Sequence, residues 1–302
     1  WQMYFADTEV ILSFIDGKTE TLCIYGSPVA HSKSPAMHNA LFKALGINAV
    51  YVPYAPDPQN LETAIAGFRA MKFRGANVTI PYKSDVAKLV DEISPISQFT
   101  GSVNTLYWKD GVAGGTLCGT TTDPYGCIRN LEENGVKVQG KKVALLGNGG
   151  AAKAIAYTLL EQKNQLTIVC RSKEKGMDLA KNLEPSFGSQ RCTVTTFDEF
   201  PTVSNAIDII INATSVGMEP NIDQSPLDGN TIHSSQVVCD IVYAPPMTKL
   251  LKMAQAKGCK IVTGEGMLVH QGLESFKKWF PAETAGKTNE ELTSIMRNGM
   301  RV

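Results

Sequence analysis

Residues 142–171, KVALLGNGGAAKAIAYTLLEQKNQLTIVCR, decide the fold class of this chain. The apolar run KVALL ends at Gly147, and Gly149 and Gly150 follow before an alanine-rich stretch and a second apolar run, LTIVC. A strand, a glycine turn, a helix and a second strand within ~30 residues make a βαβ unit, whose two strands lie parallel. Gly147, Gly149 and Ala152 satisfy the spacing G-x-G-x-x-[GA]. Gly147 allows the tight turn, Gly149 lets backbone approach a pyrophosphate, and Ala152 lets the helix pack close to the sheet. The pyrophosphate then lies over the helix N-terminus, where free N–H groups point. Gly147, Asn148, Gly149, Gly150, Ala151 and Ala152 are therefore the candidate cradle of a dinucleotide.

The end of the second strand selects the dinucleotide. An NAD site places an acidic residue there, ~20 residues beyond the glycines, on the ribose 2′-hydroxyl. This chain offers Cys170, Arg171 and Ser172, with Lys173 and Lys175 close behind. A carboxylate would repel a 2′-phosphate, whereas a guanidinium matches its charge and fork geometry. Arg171, Ser172 and Lys175 thus favour NADP over NAD, and a nicotinamide cofactor implies an oxidoreductase.

Outward from this unit, KKVALL, LTIVC, CTVTTF, IDIIIN, VVCDIV and KIVTG read as strands rich in β-branched residues. Such near-continuous apolar runs, alternating with helical segments, predict a doubly wound α/β domain with a buried parallel sheet. The first half also alternates. LCIYG (22–26) and YVPYA (51–55) read as strands. SPAMHNALFKALG reads as a helix, and QNLETAIAGFRAM (59–71) as an amphipathic helix ended by Gly75. GANVT (75–79) runs into Pro81, and NTLYW (104–108) pairs with the run before Gly119 across Lys109-Asp110-Gly111. The halves join near Asp123–Pro124, and a last long helix, Met267 to Trp279, returns to the first half. The expected division is a substrate domain of 1–122 and 265–302 and a Rossmann domain of 123–264, with a cleft between them. The tail after Phe280 reads as polar, with one short helix and no assigned function.

Lys plus Arg equals Asp plus Glu, at 29 each, so no basic field draws this chain to nucleic acid or to an anionic membrane. No apolar run approaches the ~20 residues of a membrane helix. The 7 cysteines show no CxxC or CxxH pair, which reads as reduced core thiols in a cytoplasmic protein. The 4 histidines have no metal spacing, and no metal is expected. The N-terminal stretch carries acidic residues and no basic leader, unlike a secretory signal. Because the chain begins at Trp1, its natural start is expected upstream or cleaved. The expected partner is a small molecule, and the expected assembly a monomer or homodimer.

Polar residues gather in the first-half loops: His31-Ser32-Lys33-Ser34-Pro35, Asn77 to Lys83, Asn104-Thr105 and Thr122-Asp123, with Gln271 far downstream. Hydroxyls, amides, one Lys and one Asp suit a polyhydroxylated acid; singly, any of them would serve as a helix cap or turn. Together with TTDPYG, GNGGAA, NATSVGM, DIVYAPPMT and GEGMLVHQG, the strings HSKSP, NVTIPYK and NTL resemble the shikimate dehydrogenase family, including its quinate branch, over roughly residues 20–280. The resemblance implies reversible NADP-dependent oxidation of shikimate to 3-dehydroshikimate, within aromatic amino acid biosynthesis. It implies Lys83 and Asp123 as the catalytic pair, Ser32 and Ser34 as carboxylate binders, and Asn77, Thr79, Asn104 and Gln271 as hydroxyl binders. Tyr243 matches a cleft-lining position, and Thr214, Val216, Gly264 and Met267 match the nicotinamide side of the cofactor site. Two departures stand out. Thr121 replaces an Asn usual before Thr-Asp, and Cys170 replaces an Asn before Arg171.

Oxidising a secondary alcohol needs a group that takes the hydroxyl proton while hydride leaves the same carbon. A Lys–Asp pair suits that task and titrates jointly, so the formal base stays open between the two. Alternatives left open are a quinate or dual-specificity enzyme, use of NAD, and a non-catalytic dinucleotide sensor. Ser34, smaller than a Thr, leaves more room near the substrate.

Overall fold

In the computed structural model, which describes residues 15–301, the chain forms two six-stranded sheets. The reading of the N-terminal leader falls largely on residues 1–14, outside the described residues. The first half runs β1 (Glu20–Tyr25), α1 (Ser34–Leu45), β2 (Ala49–Tyr54), α2 (Leu61–Ala70), β3 (Gly75–Val78), α3 (Lys83–Val86), β4 (Glu92–Ile93), α4 (Pro95–Thr100), β5 (Thr105–Trp108) and β6 (Leu117–Thr120). Its sheet has the order β2-β1-β3-β5-β6-β4. β1 is parallel to β2 and β3, whereas β5 is antiparallel to both β3 and β6, with Thr105 opposite Thr120 and Trp108 opposite Leu117.

The second half runs α5 (Asp123–Glu133), β7 (Lys142–Leu146), α6 (Gly150–Glu161), β8 (Gln165–Cys170), α7 (Lys173–Phe187), β9 (Cys192–Thr196), β10 (Ile209–Asn212), β11 (Val237–Asp240), α8 (Lys249–Ala256) and β12 (Lys260–Val262). All its strands are parallel, in the order β12-β11-β10-β7-β8-β9. The order reverses at β7, the strand that carries the glycine loop, and such a switch point opens a ligand crevice at the carboxyl ends. Successive residues of each strand bury opposite faces. Val143, Leu145, Ile209 and Ile211 join one core, and Ala144, Leu146, Ile210 and Val238 the other.

The chain closes with α9 (Glu265–Trp279), α10 (Pro281–Thr284) and α11 (Asn289–Gly299). Val269, Leu273, Phe276 and Trp279 of α9 pack with Leu22, Ile24, Met37 and Leu41 of the first half. Leu292 and Met296 of α11 are fully buried in that same core, each worth ~1.5–3 kcal/mol of burial. The tail, expected to be polar with one short helix, carries two, α10 and α11, and closes the core of the first half. The polar face of an amphipathic helix had hidden its buried stripe.

A second correction concerns 59–71. A short 3-10 turn, Pro58–Asn60, precedes α2, and the helix ends at Ala70, with Lys72 rather than Gly75 taking the left-handed conformation (φ 54°). Gly75 opens β3, where any Cβ would overlap the Trp279 indole. Trp279 in turn donates from Nε1 to the Leu106 carbonyl at 2.8 Å, so this glycine exists to admit α9.

Candidate active site

Two helices bring the carboxyl ends of both sheets together. α5 begins at Asp123, three residues after β6, and buries Cys127, Ile128 and Leu131 in the core of the second sheet. α9 begins just beyond Gly264, after β12, and runs back to the first sheet. The two helices cross at glycines. A Cβ on Gly126 would lie 2.7 Å from the Met267 carbonyl and 2.8 Å from Gln271, and one on Gly266 would overlap Asn130 Oδ1. The crossing sets the first turn of α5 against Met267 and Gln271.

At this crossing Lys83 Nζ donates to Asp123 Oδ2 at 2.6 Å, from side chains 28% and 18% exposed. The pair is neither a solvated surface bridge nor sealed in the core; solvent, and so a small substrate, reaches it. Asp123 opens α5, where the helix dipole favours its negative charge. Its other oxygen accepts from Asn104 Nδ2 at 2.7 Å. Both carboxylate oxygens are thereby oriented by protein donors.

Behind the pair lies a buried polar network. Asn104 Oδ1 accepts from the Thr122 backbone N–H (2.9 Å) and the Thr105 hydroxyl (2.7 Å), and Asn104 Nδ2 reaches Gln271 Oε1 at 3.3 Å. Ser275 bonds Thr105 at 2.7 Å and donates to the Gln271 carbonyl at 3.1 Å, tying α9 into the set. Asn77 accepts from the Tyr51 hydroxyl at 2.8 Å and donates to Asn104 O and Ser275 Oγ. Its amide is thus engaged within the protein, as is that of Asn104. Tyr51 and Ser275 were missed by sequence reasoning. Tyr51 sits in a strand pattern that signals only core, and Ser275 lies on a helix face whose partners are remote in sequence.

The other first-half candidates lie in the loops that follow β1 and β3. Ser32 and Ser34 lead into the first turn of α1, with Ser32 Oγ accepting from the Ser34 N–H at 3.3 Å. Thr79 follows β3, and a Cβ on Gly26 would overlap its methyl, so the glycine closing the first strand admits this side chain. Thr121 is buried and lines a cavity with Ser94, Tyr125 and Glu274, while Asn104 and Thr122 supply the bonds to Asp123 and its surroundings. The Asn-to-Thr departure therefore leaves the bonds around Lys83 and Asp123 in place.

The glycine loop meets its geometric demands. Gly147 adopts φ 107°, and a Cβ there would crowd Thr214 and the Ala213 carbonyl. A Cβ on Gly149 or Gly150 would meet nothing within 4 Å, so open space lies at the start of α6. Ala152 is fully buried in the helix–sheet core. A groove of about 540 Å³ runs over Gly147, Asn148, Arg171, Thr214 and Val216, and Asn148, Arg171, Ser172 and Lys175 line an adjoining hollow of about 370 Å³. Among the described residues no carboxylate lines either, and Ser172 caps α7 by accepting from the Lys175 N–H. Residues, space and charge fit a dinucleotide bearing a 2′-phosphate. Gly264 lies against the exit of β11, where a Cβ would stand 2.6 Å from the Ile241 carbonyl, and Met267 is half-buried at the helix crossing. Tyr243, just beyond β11, is 44% exposed.

Among the described residues no His, Cys, Asp or Glu cluster is placed to hold a metal, all the cysteines are free thiols, and no helix is long and apolar enough to cross a membrane.

Comparison with known proteins agrees with this geometry. Residues 24–106 match the family model of the shikimate dehydrogenase substrate binding domain, and 130–247 that of shikimate / quinate 5-dehydrogenase. The NADP(+) shikimate dehydrogenase of Pyrococcus furiosus is 46% identical over 88% of this chain and 92% of its own. A crystal structure of shikimate dehydrogenase in complex with NADP+ superposes with a TM-score of 0.85 at 37% identity, covering 96% of this chain and 97% of that one. The Thermus thermophilus enzyme in complex with NADP(H) and shikimate gives 0.79 at 29%, covering 93% and 99%. With a substrate-binding α/β half, a Rossmann half and the Lys83–Asp123 pair where their carboxyl ends meet, this chain belongs to the shikimate dehydrogenase family.

Proposed function

We propose that this chain catalyses the reversible NADP-dependent oxidation of shikimate to 3-dehydroshikimate, with Lys83 and Asp123 as its proton-transfer pair. The observation that carries the assignment is the 2.6 Å contact of Lys83 with Asp123, itself held by Asn104 at 2.7 Å. An ammonium has three donors, and one is committed to Asp123. The substrate hydroxyl meets the pair, and its proton passes to a basic atom, the Asp123 carboxylate or a deprotonated Lys83 amine, as the carbon–oxygen double bond forms. Held by Gly147 to Ala152 and Arg171, NADP+ would supply the hydride acceptor for that carbon.

Ser32 and Ser34, at the N-terminal turn of α1, bind the substrate carboxylate, an anion the helix dipole also favours. Asn77, Thr79, Asn104 and Gln271 bind ring hydroxyls, and Tyr243 lines the cleft. Gly147 to Ala152 hold the pyrophosphate, and Arg171, Ser172 and Lys175 hold the 2′-phosphate. Thr214, Val216, Gly264 and Met267 flank the nicotinamide. The domain boundaries at 122/123 and 264/265 belong to this reading, supported by α5 packing with the second sheet and α9 with the first. So does a cytoplasmic location, supported by unpaired thiols.

The test is kcat/KM for shikimate and for quinate, each with NADP and NAD. Shikimate with NADP is expected to lead. Turnover of neither acid with either cofactor would overturn the reading.

A further inference from the structure

Asp240 ends β11 and lies fully buried, directly opposite Asn212 at the end of β10. None of the ion pairs among the described residues includes it. Three donors converge on it instead. Oδ1 accepts from Asn212 Nδ2 and from the Val242 backbone N–H, each at 3.0 Å, and Oδ2 accepts from the Thr248 hydroxyl at 2.7 Å. A buried carboxylate without a cation is costly, so its retention points to a task that hydrogen-bond geometry performs.

Asn212 leads into the turn that lines the cofactor groove at Thr214 and Val216, whereas Val242 follows β11 and Thr248 caps α8. Asn212 uses its carbonyl oxygen to hold Thr214 twice, through the backbone N–H at 3.0 Å and the hydroxyl at 2.7 Å. The Thr214 hydroxyl then accepts from the Val216 N–H at 3.2 Å, and Asn212 Nδ2 also reaches the Val216 carbonyl at 3.3 Å. The Val242 N–H fixes the residue before Tyr243. Thr248 packs against Gly217, whose φ of 95° ends the Thr214–Val216 turn, and a Cβ there would stand 3.4 Å from the Thr248 Cβ.

We propose that Asp240 is a positioning residue for the nicotinamide half of the cofactor. Its Oδ1 bridges the turn carrying Thr214 and Val216 to the turn carrying Tyr243, and its Oδ2 ties in Thr248, which packs against Gly217. The inference rests on the assignment of those residues to the nicotinamide side. It leaves the adenosine half, held by Gly147–Ala152 and Arg171, outside the control of Asp240.

The experiment measures dissociation constants of NADP+ and of adenosine 2′,5′-bisphosphate, which lacks the nicotinamide, by calorimetry on the full chain. Asp240→Ala is expected to weaken NADP+ by about tenfold and to leave the bisphosphate within about twofold. Asp240→Asn is expected to restore most of the loss. Its carbonyl can serve Asn212 and Val242, and its amide can donate to a Thr248 hydroxyl turned to accept. Equal weakening of both ligands, unchanged NADP+ affinity, or an Asn variant as damaged as Ala would each overturn the proposal. Should Asp240→Ala not fold, Thr248→Val decides, with the same split expected at about threefold and its absence counting against the proposal. A wild-type chain that binds neither ligand would instead overturn the cofactor assignment itself.

Discussion

The two halves of this molecule build their sites by different means. In the second half the cofactor surface is made mostly of backbone: Gly147 at φ 107°, open space beside Gly149 and the free N-terminus of α6, all within one stretch of chain. In the first half the working groups are side chains drawn from distant positions. Lys83 and Asp123 are 40 residues apart, and Asn104 meets Gln271 across 167. A backbone site can be disabled piece by piece without touching the proton-transfer pair, whereas the side-chain site depends on the α5–α9 crossing that joins the halves.

The largest expected effect lies in the first half. Lys83→Ala should lower kcat by ~10²–10⁴ with little change in KM. Steady-state kinetics with a separate NADP+ titration checks this, and an unchanged kcat would remove Lys83 from the chemistry. Arg171→Ala should do the reverse. It should weaken NADP by ~10–100-fold, leave NAD as it was and spare kcat at saturating cofactor. Equal losses for both cofactors would show that Arg171 does not read the 2′-phosphate.

The crossing itself is tested by Gly266→Ala, whose Cβ would overlap Asn130 Oδ1. Asn130 also donates to the Thr263 carbonyl at 2.7 Å, so it cannot yield without losing that bond. A stability loss of ~1–3 kcal/mol in urea denaturation is expected. Unaltered stability would mean the two helices part more easily than their packing implies.

An effect of similar size is read by pH in the first half. His38 lies buried among Tyr51, Phe276 and Trp279, with no hydrogen-bond partner for either ring nitrogen among the described residues. Burial pushes its pKa down from 6.5 to about 3. The folded value lies below the unfolded one, so the stability tied to neutral His38 is complete above pH 6.5 and is lost as pH falls towards 3. Between pH 7 and pH 5 that amounts to about 2 kcal/mol for one proton. His38→Phe keeps the ring stacking and should flatten the decline by that amount in denaturation curves at the two pH values. A slope unchanged by the substitution would place the acid sensitivity elsewhere.

Much of this was legible in the sequence. All the second-half strands, the glycine loop and the basic strand end at Arg171 were readable because their determinants are local. Periodicity, glycine placement and charge act within a few residues of where they are written. The candidate site residues stood out only as a scattered polar set joined by a family resemblance. Tyr51 and Ser275 had no local mark, and α11 looked like a polar tail because only Leu292 and Met296 of its buried stripe are large and apolar.

By itself, then, the sequence determined the doubly wound second half, its preference for a 2′-phosphate and the kinds of group available for an alcohol oxidation. Backbone conformation and charge are properties of short stretches, so a short stretch reveals them. Only the tertiary structure decided which groups meet. The 2.6 Å approach of Lys83 to Asp123 and the bracing of Asn104 arise where two sheets and two crossing helices converge, and the burial of Asp240 arises where β10, β11 and the cap of α8 meet. Those distances follow from packing across the whole chain, and no window of sequence contains them.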